Sequence, residues 1–318
     1  MQSKQAIERR ATGRAHSVFL LLLLMQPFPR QLAIAQVQNV SSADAEHADP
    51  CQDPSTPAAL KEALRLVCSR DPVQFANRDV RKALIIGFVG GFVRRDNIKQ
   101  PEVLFARYLF GRYGATVHVD IFGNHDGKRA LAEVIERLNL KGNGVFIASD
   151  KEPVKIILYG HSWGASQTLA FARELQWRGI PVALTIQIDS VKKFGRDDRT
   201  VPENVARAVN FYQRKGLTPG QSRIVPADPA RTEVVGNFHM TYQDRDINCD
   251  NYHWLSRVFN RPHHEIENDP RVWDQVASLI DSEVLAHPRL APSRFPDDNQ
   301  DSALAPATSA AHPRAATH

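Results

Sequence analysis

The sequence predicts an α/β protein, with a mostly parallel sheet and helices on both faces. Three observations carry that prediction. Apolar runs such as Ala83–Phe88 ("ALIIGF") and Val182–Ile188 ("VALTIQI") are nearly continuous, as in strands covered on both faces. They alternate with segments of roughly 12–15 residues whose apolar positions recur at helical spacing. The 318 residues, 42% of them hydrophobic, suffice for one sizeable core.

The N-terminus stands apart from this pattern. Lys4, Arg9, Arg10 and Arg14 precede the apolar run "VFLLLLLM" (Val18–Met25), and Ala33-Ile34-Ala35 offers a small-residue cleavage site. That order is the pattern of a secretory signal peptide, and the apolar run is too short to span a bilayer. Residues 1–35 are therefore assigned to a leader cleaved after Ala35. The chain is expected to be secreted or periplasmic, with no membrane span afterwards.

Residues 36–80 read as a polar linker followed by an entry helix, Thr56–Arg70, with Leu60, Leu64 and Val67 on one face. The α/β domain occupies residues 81–287. Its first strand, Ala83–Phe88, leads into a glycine-rich loop ("GFVGGFVRRDN") and a helix over Pro101–Tyr113. Strand Ala115–Phe122, helix Gly127–Leu140, strand Lys155–Tyr159 and helix Ala165–Trp177 follow. Val182–Ile188 and Val205–Tyr212 are strands, Arg231–Val235 is a weaker one, and Val272–Leu285 has the spacing of a closing helix. Residues 288–318 are rich in Pro and Ala without periodicity, a composition that predicts a disordered tail.

Charge excludes one class of partner. The chain carries +5 overall, but residues 1–35 hold five basic residues against Glu8, which leaves +1 for the remainder. No Lys/Arg stripe with interleaved aromatics appears downstream, so nucleic acid is not an expected partner. Of the three cysteines, Cys51 and Cys68 could be bridged in an exported protein, although three different single bridges are possible. The left-over thiol is expected to be buried and inert. No C-x-x-C pair is present.

Ligands of parallel sheets bind beyond the carboxyl ends of the strands, so chemistry belongs in the loops that follow strands. One such loop reads Gly160-His161-Ser162-Trp163-Gly164, a G-x-S-x-G pattern between an apolar strand and an amphipathic helix. There a tight turn lifts the Ser162 hydroxyl above the sheet, and the glycines let strand and helix approach. The helix N-terminus supplies partial positive charge where an oxyanion would form. The Trp163 amide is one oxyanion donor on this reading.

With this elbow the chain resembles the α/β-hydrolase superfamily, in its lipase, esterase and thioesterase group, over roughly Ala83 to Leu285. The resemblance implies a second oxyanion donor in the loop after an earlier strand. "IIGFVGGF" stands there, without the histidine of the family's pattern, and by position the donor is the Val89 amide, with Phe88 as alternate. The family's order of nucleophile, acid and base implies an acid that ends a later strand. Asp189 in "LTIQIDSV" does so, and Asp228 in "RIVPADPAR" is its competitor. The base is expected just before the last helix, where "NRPHHEIENDP" offers His263, with His264 as alternate; His239 and His253 read as surface or core residues. "HHEIE" lacks the H-E-x-x-H spacing of a helical zinc site, so neither metal nor cofactor is implied. Only about fifteen residues separate Asp189 from the next long strand, which leaves no room for a large lid domain.

The function so implied is a secreted serine hydrolase that cleaves carboxylic esters through an acyl-enzyme, with a small-molecule or lipid ester as substrate. Two alternatives share the fold: a non-catalytic binding protein of the cell envelope, and an acyltransferase or thioesterase with the same three residues. Catalysis requires an acid within hydrogen-bond reach of His263 or His264, and one of those histidines at Ser162. Nothing in the sequence bears on oligomeric state.

Overall fold

The computed structural model describes residues 49–70, 80–140 and 154–285, all within one compact unit, Ala43–His318. The leader and the tail lie outside the described residues. The fold is α/β, as the alternation of apolar runs predicts. Six strands, β1 (Ala83–Val89), β2 (Val117–Gly123), β3 (Lys155–His161), β4 (Val182–Ile188), β6 (Val205–Tyr212) and β8 (Glu233–His239), form one sheet in the order β2-β1-β3-β4-β6-β8. Every neighbouring pair is parallel. Two short strands, β5 (Thr200–Val201) and β7 (Val225–Pro226), pair separately. Between β4 and β6 the chain holds only β5, and no large lid domain appears among the described residues.

Successive residues of a strand face opposite sides of the sheet, so each apolar run feeds two cores. Ile85, Ile157, Tyr159, Leu184 and Ile186 face one side. There they meet helices α1 (Ala58–Ala63), α2 (Arg65–Cys68), α3 (Pro101–Tyr113) and α7 (Pro270–Val284), through Leu60, Val67, Phe105 and Trp273. Leu84, Ile86, Ile156 and Leu158 face the other side, against α4 (Gly127–Arg137) and α5 (Trp163–Gln176). Strands with both faces covered need no polar alternation, which is why the runs read as continuous.

Several boundaries differ from the sequence reading. The entry helix is broken at Leu64 into α1 and α2, and the second strand starts two residues late because Gly114–Thr116 forms a 3₁₀ turn. The weak strand after Thr232 runs on to His239. A whole helix, α6 (Trp254–Asn268), was not expected. It is kinked at Asn260 and carries Pro262 within it, and that proline masks the helical spacing. Cys51 and Cys68 are disulfide-bonded, which ties the entry segment to α2. Cys249 is free and buried, and burial pushes its thiol up to about 12, in keeping with an inert side chain. Among the described residues no helix is long and apolar enough to cross a membrane.

Candidate active site

Sheet register alone brings two of the sequence candidates together. His161 pairs with Ile188 across β3 and β4, so the next residues, Ser162 and Asp189, emerge side by side at the carboxyl rim. The pairing continues one step beyond each strand. The Ser162 amide donates to Ile188 O at 2.9 Å, and the Asp189 amide donates to Phe211 O at 2.7 Å.

Both residues depart from ordinary backbone geometry. Ser162 has φ 56° and ψ −121°, and Asp189 has φ 46°, conformations that L-residues adopt only when their surroundings impose them. At Ser162 the imposing element is the close approach of β3, β1 and α5. A Cβ on Gly160 would lie 2.6 Å from the Gly164 carbonyl carbon, and one on Gly164 would lie 2.0 Å from Phe88 O. Both obstacles are backbone and cannot swing aside. Gly164→Ala is therefore expected to cost more than about 3 kcal/mol, measured by thermal or urea unfolding. Gly91→Ala, at φ 45° in open space, should cost only about 1–2 kcal/mol.

His263 completes the group. Its Nδ1 lies 2.6 Å from Asp189 Oδ2, and its Nε2 lies 3.0 Å from Ser162 Oγ. It stands on α6, past the kink and just ahead of the last helix, α7. The kink at Asn260 turns the second half of α6 inward, so that His263–Asn268 are buried while Trp254, Val258 and Phe259 in the first half are exposed. Asp189 is held from its other side by Gln213, whose amide donates to Oδ1 at 3.0 Å and whose Nε2 donates to Oδ2 at 2.8 Å. Gly220 closes on the same carboxylate, where a Cβ would sit 2.0 Å from Oδ1.

The alternates lie elsewhere. His264 Nε2 meets Ser256 Oγ at 2.6 Å, and its ring stacks on Tyr252. Asp228 accepts the Ala230 amide at 2.9 Å within its own turn. His239 stacks on Tyr212, and His253 caps α6. Trp163 begins α5, so its amide is at the helix N-terminus as expected. Val89 and Phe88, the residues expected to hold the second donor, stand at the end of β1. Both lie within β1 and are fully buried, whereas the loop residues that line the cavity at Ser162 are Gly90 and Gly91. The Gly90 amide donates to Glu102 at 3.3 Å.

Ser162 opens into a cavity of about 230 Å³, lined by Gly90, Gly91, Val93, Tyr252, His263 and a group of buried ionisable residues. Beside it, Lys193 Nζ lies 5.6 Å over the Trp163 ring, whose edge contact with Phe92 is at 5.2 Å. Lys193 also donates to Asn124 O at 3.0 Å, and Asn124 donates to Val89 O and Gly91 O, which pins the glycine loop. Burial brings the Lys193 ammonium down to about 8.

Sequence reasoning missed Gln213 and Asn124. Each directly follows a strand, β6 and β2, so the strand-end rule that found Ser162 and Asp189 points to both. Chemically, a hydroxyl 3.0 Å from an imidazole that is itself oriented by a buried carboxylate is an arrangement for nucleophile activation. No family model matches the chain, and a search of curated proteins finds no match.

Proposed function

We propose that the protein is a serine hydrolase of the α/β-hydrolase superfamily that cleaves carboxylic esters through an acyl-enzyme at Ser162. The observation that carries this reading is the chain of contacts from Asp189 through His263 to Ser162, at 2.6 and 3.0 Å, on a strained turn between β3 and α5. Such contacts are what the catalytic alternative requires and what a purely binding role leaves unexplained.

On this reading His263 Nε2 takes the Ser162 proton as Oγ attacks the ester carbonyl. Asp189 fixes the ring tautomer and stabilises the imidazolium. The developing oxyanion is met by the Trp163 amide at the N-terminus of α5. The Gly90 amide is committed to Glu102, so Gly91 is the loop's remaining donor. The imidazolium then protonates the leaving alcohol, and water, activated by the same histidine, releases the acid. A cavity of about 230 Å³ is below the roughly 300–1,000 Å³ typical of drug-sized ligand sites, which favours short acyl groups. We also propose export with loss of the leader, which the Cys51–Cys68 bridge supports, because such bridges persist in oxidising compartments.

The test is covalent labelling. A fluorophosphonate probe should modify the wild-type chain and leave Ser162→Ala unmodified, as read by intact mass. Labelling that persists in the variant would remove Ser162 as nucleophile.

A further inference from the structure

Beside Ser162 lies a second group of ionisable side chains that ester cleavage leaves without a task. Glu102 in the first turn of α3, His161 at the end of β3 and Glu267 near the end of α6 are all buried. Their potential ligand atoms lie within 4.8 Å of one another. His161 Nδ1 is 3.3 Å from Glu267 Oε2. Two carboxylates brought together away from water repel each other unless a proton or a cation lies between them.

A fourth side chain lies beside Glu267 and lines the same cavity. His264 is buried, and its Nδ1 has no hydrogen-bond partner and lies 4.0 Å from Glu267 Oε2. With Nε2–H donating to Ser256 Oγ, Nδ1 presents a lone pair toward a carboxylate. Glu102 Oε2 and His161 Nε2 are likewise buried without partners. Buried polar atoms are normally paired, and the orphaned Glu102 Oε2 and His264 Nδ1 both belong to side chains beside Glu267, where an electron-pair acceptor would satisfy them.

We propose that Glu102, His161, Glu267 and His264 form a binding site for a divalent transition-metal cation of the Zn²⁺ class. Two carboxylates and two imidazoles neutralise such an ion and match its preference for mixed N/O donors, whereas Mg²⁺ and Ca²⁺ favour oxygen alone. Tetrahedral bonds of about 2.0–2.1 Å place ligand atoms about 3.3 Å apart, so the His161–Glu267 pair is already at the required spacing. An outer shell is in place: the Gly90 amide on Glu102, and the Tyr252 hydroxyl against Glu267 with its ring stacked on His264 at 3.8 Å. The cavity at Ser162 is lined by all four residues and provides the entry path. Without a cation, burial pushes Glu102 well above the usual carboxyl range and Glu267 up to about 7, and holds His161 well below the usual imidazole range and His264 at about 4.

The site does not depend on the hydrolase reading, and its test uses no enzymatic readout. The full chain, stripped with a chelator, is titrated at pH 7.5 with Zn²⁺ against a chromophoric competitor, and with Co²⁺ by visible absorption. We expect one tight equivalent, a melting temperature that rises until one equivalent is bound, and the intense Co²⁺ bands of four-coordination. Mg²⁺ should have no effect. The Glu102→Gln/Glu267→Gln double variant should bind Zn²⁺ on the order of 100-fold more weakly or worse, while the surface variant His125→Ala should bind as wild type. No tight equivalent in wild type, a weak six-coordinate Co²⁺ spectrum, or unchanged affinity in the double variant would each overturn the proposal. The first of these would mean that a shared proton closes the carboxyl pair. The wild-type measurements decide the question even where the double variant does not fold.

Discussion

Ser162→Ala is expected to lower the turnover of a short-chain nitrophenyl ester on the order of 10⁶-fold, with the melting temperature almost unchanged. The size follows from how the group works. Without Oγ no acyl-enzyme forms, and His263 and Asp189 have no proton to move, so the loss matches removal of the whole relay. What survives is the modest assistance of the oxyanion donors and of binding. Stability is spared because the Oγ contact recorded for Ser162 is to His263, at 3.0 Å, and alanine meets the same steric limits at φ 56° as serine does. Steady-state kinetics with calorimetry on the same preparation reads both quantities. A variant that keeps more than about a hundredth of wild-type activity while fully folded would place the nucleophile elsewhere.

The parts of this site that the sequence discloses are those set by short-range rules. A continuous apolar run, a glycine-flanked serine and a helical pattern within one stretch are enough to place Ser162, because strand, turn and helix lie in a single segment. Asp189 is legible for the same reason: an acid directly after a buried run has few structural excuses. His263 is legible only as a residue, not as a place, since Pro262 interrupts the pattern of α6 and makes a helix look like a loop. The end of β1 is less legible, because the strand continues to Val89 and an apolar run does not mark its own last hydrogen bond. The Glu102–His161–Glu267–His264 group is out of reach altogether. Its members come from three elements spread over more than half of the chain, and only the sheet order and the inward bend of α6 bring them together.

The choice between the two candidate acids yields the second large effect. Asp189→Asn is expected to lower kcat/KM on the order of 10⁴-fold at neutral pH, and Asp228→Asn to change it by less than about twofold. Both oxygens of Asp189 already accept from donors: the Gln213 amide on Oδ1, and Gln213 Nε2 and His263 Nδ1 on Oδ2. An asparagine NH₂ in place of either oxygen confronts an N–H. The cheapest relief is for His263 to shift its proton to Nε2 and accept at Nδ1. That tautomer aims a proton at Ser162 Oγ, so the ring can no longer take one, and activity falls without any displacement of the side chains. Stability should fall as well, by about 1–3 kcal/mol, from the donors left poorly matched in a buried place. Asp228 makes no such demand. Its carboxylate accepts one backbone amide, from Ala230, which an asparagine oxygen accepts equally well. A larger loss of activity in Asp228→Asn than in Asp189→Asn would transfer the orienting role, because no contact of Asp228 with its own turn explains an effect on turnover.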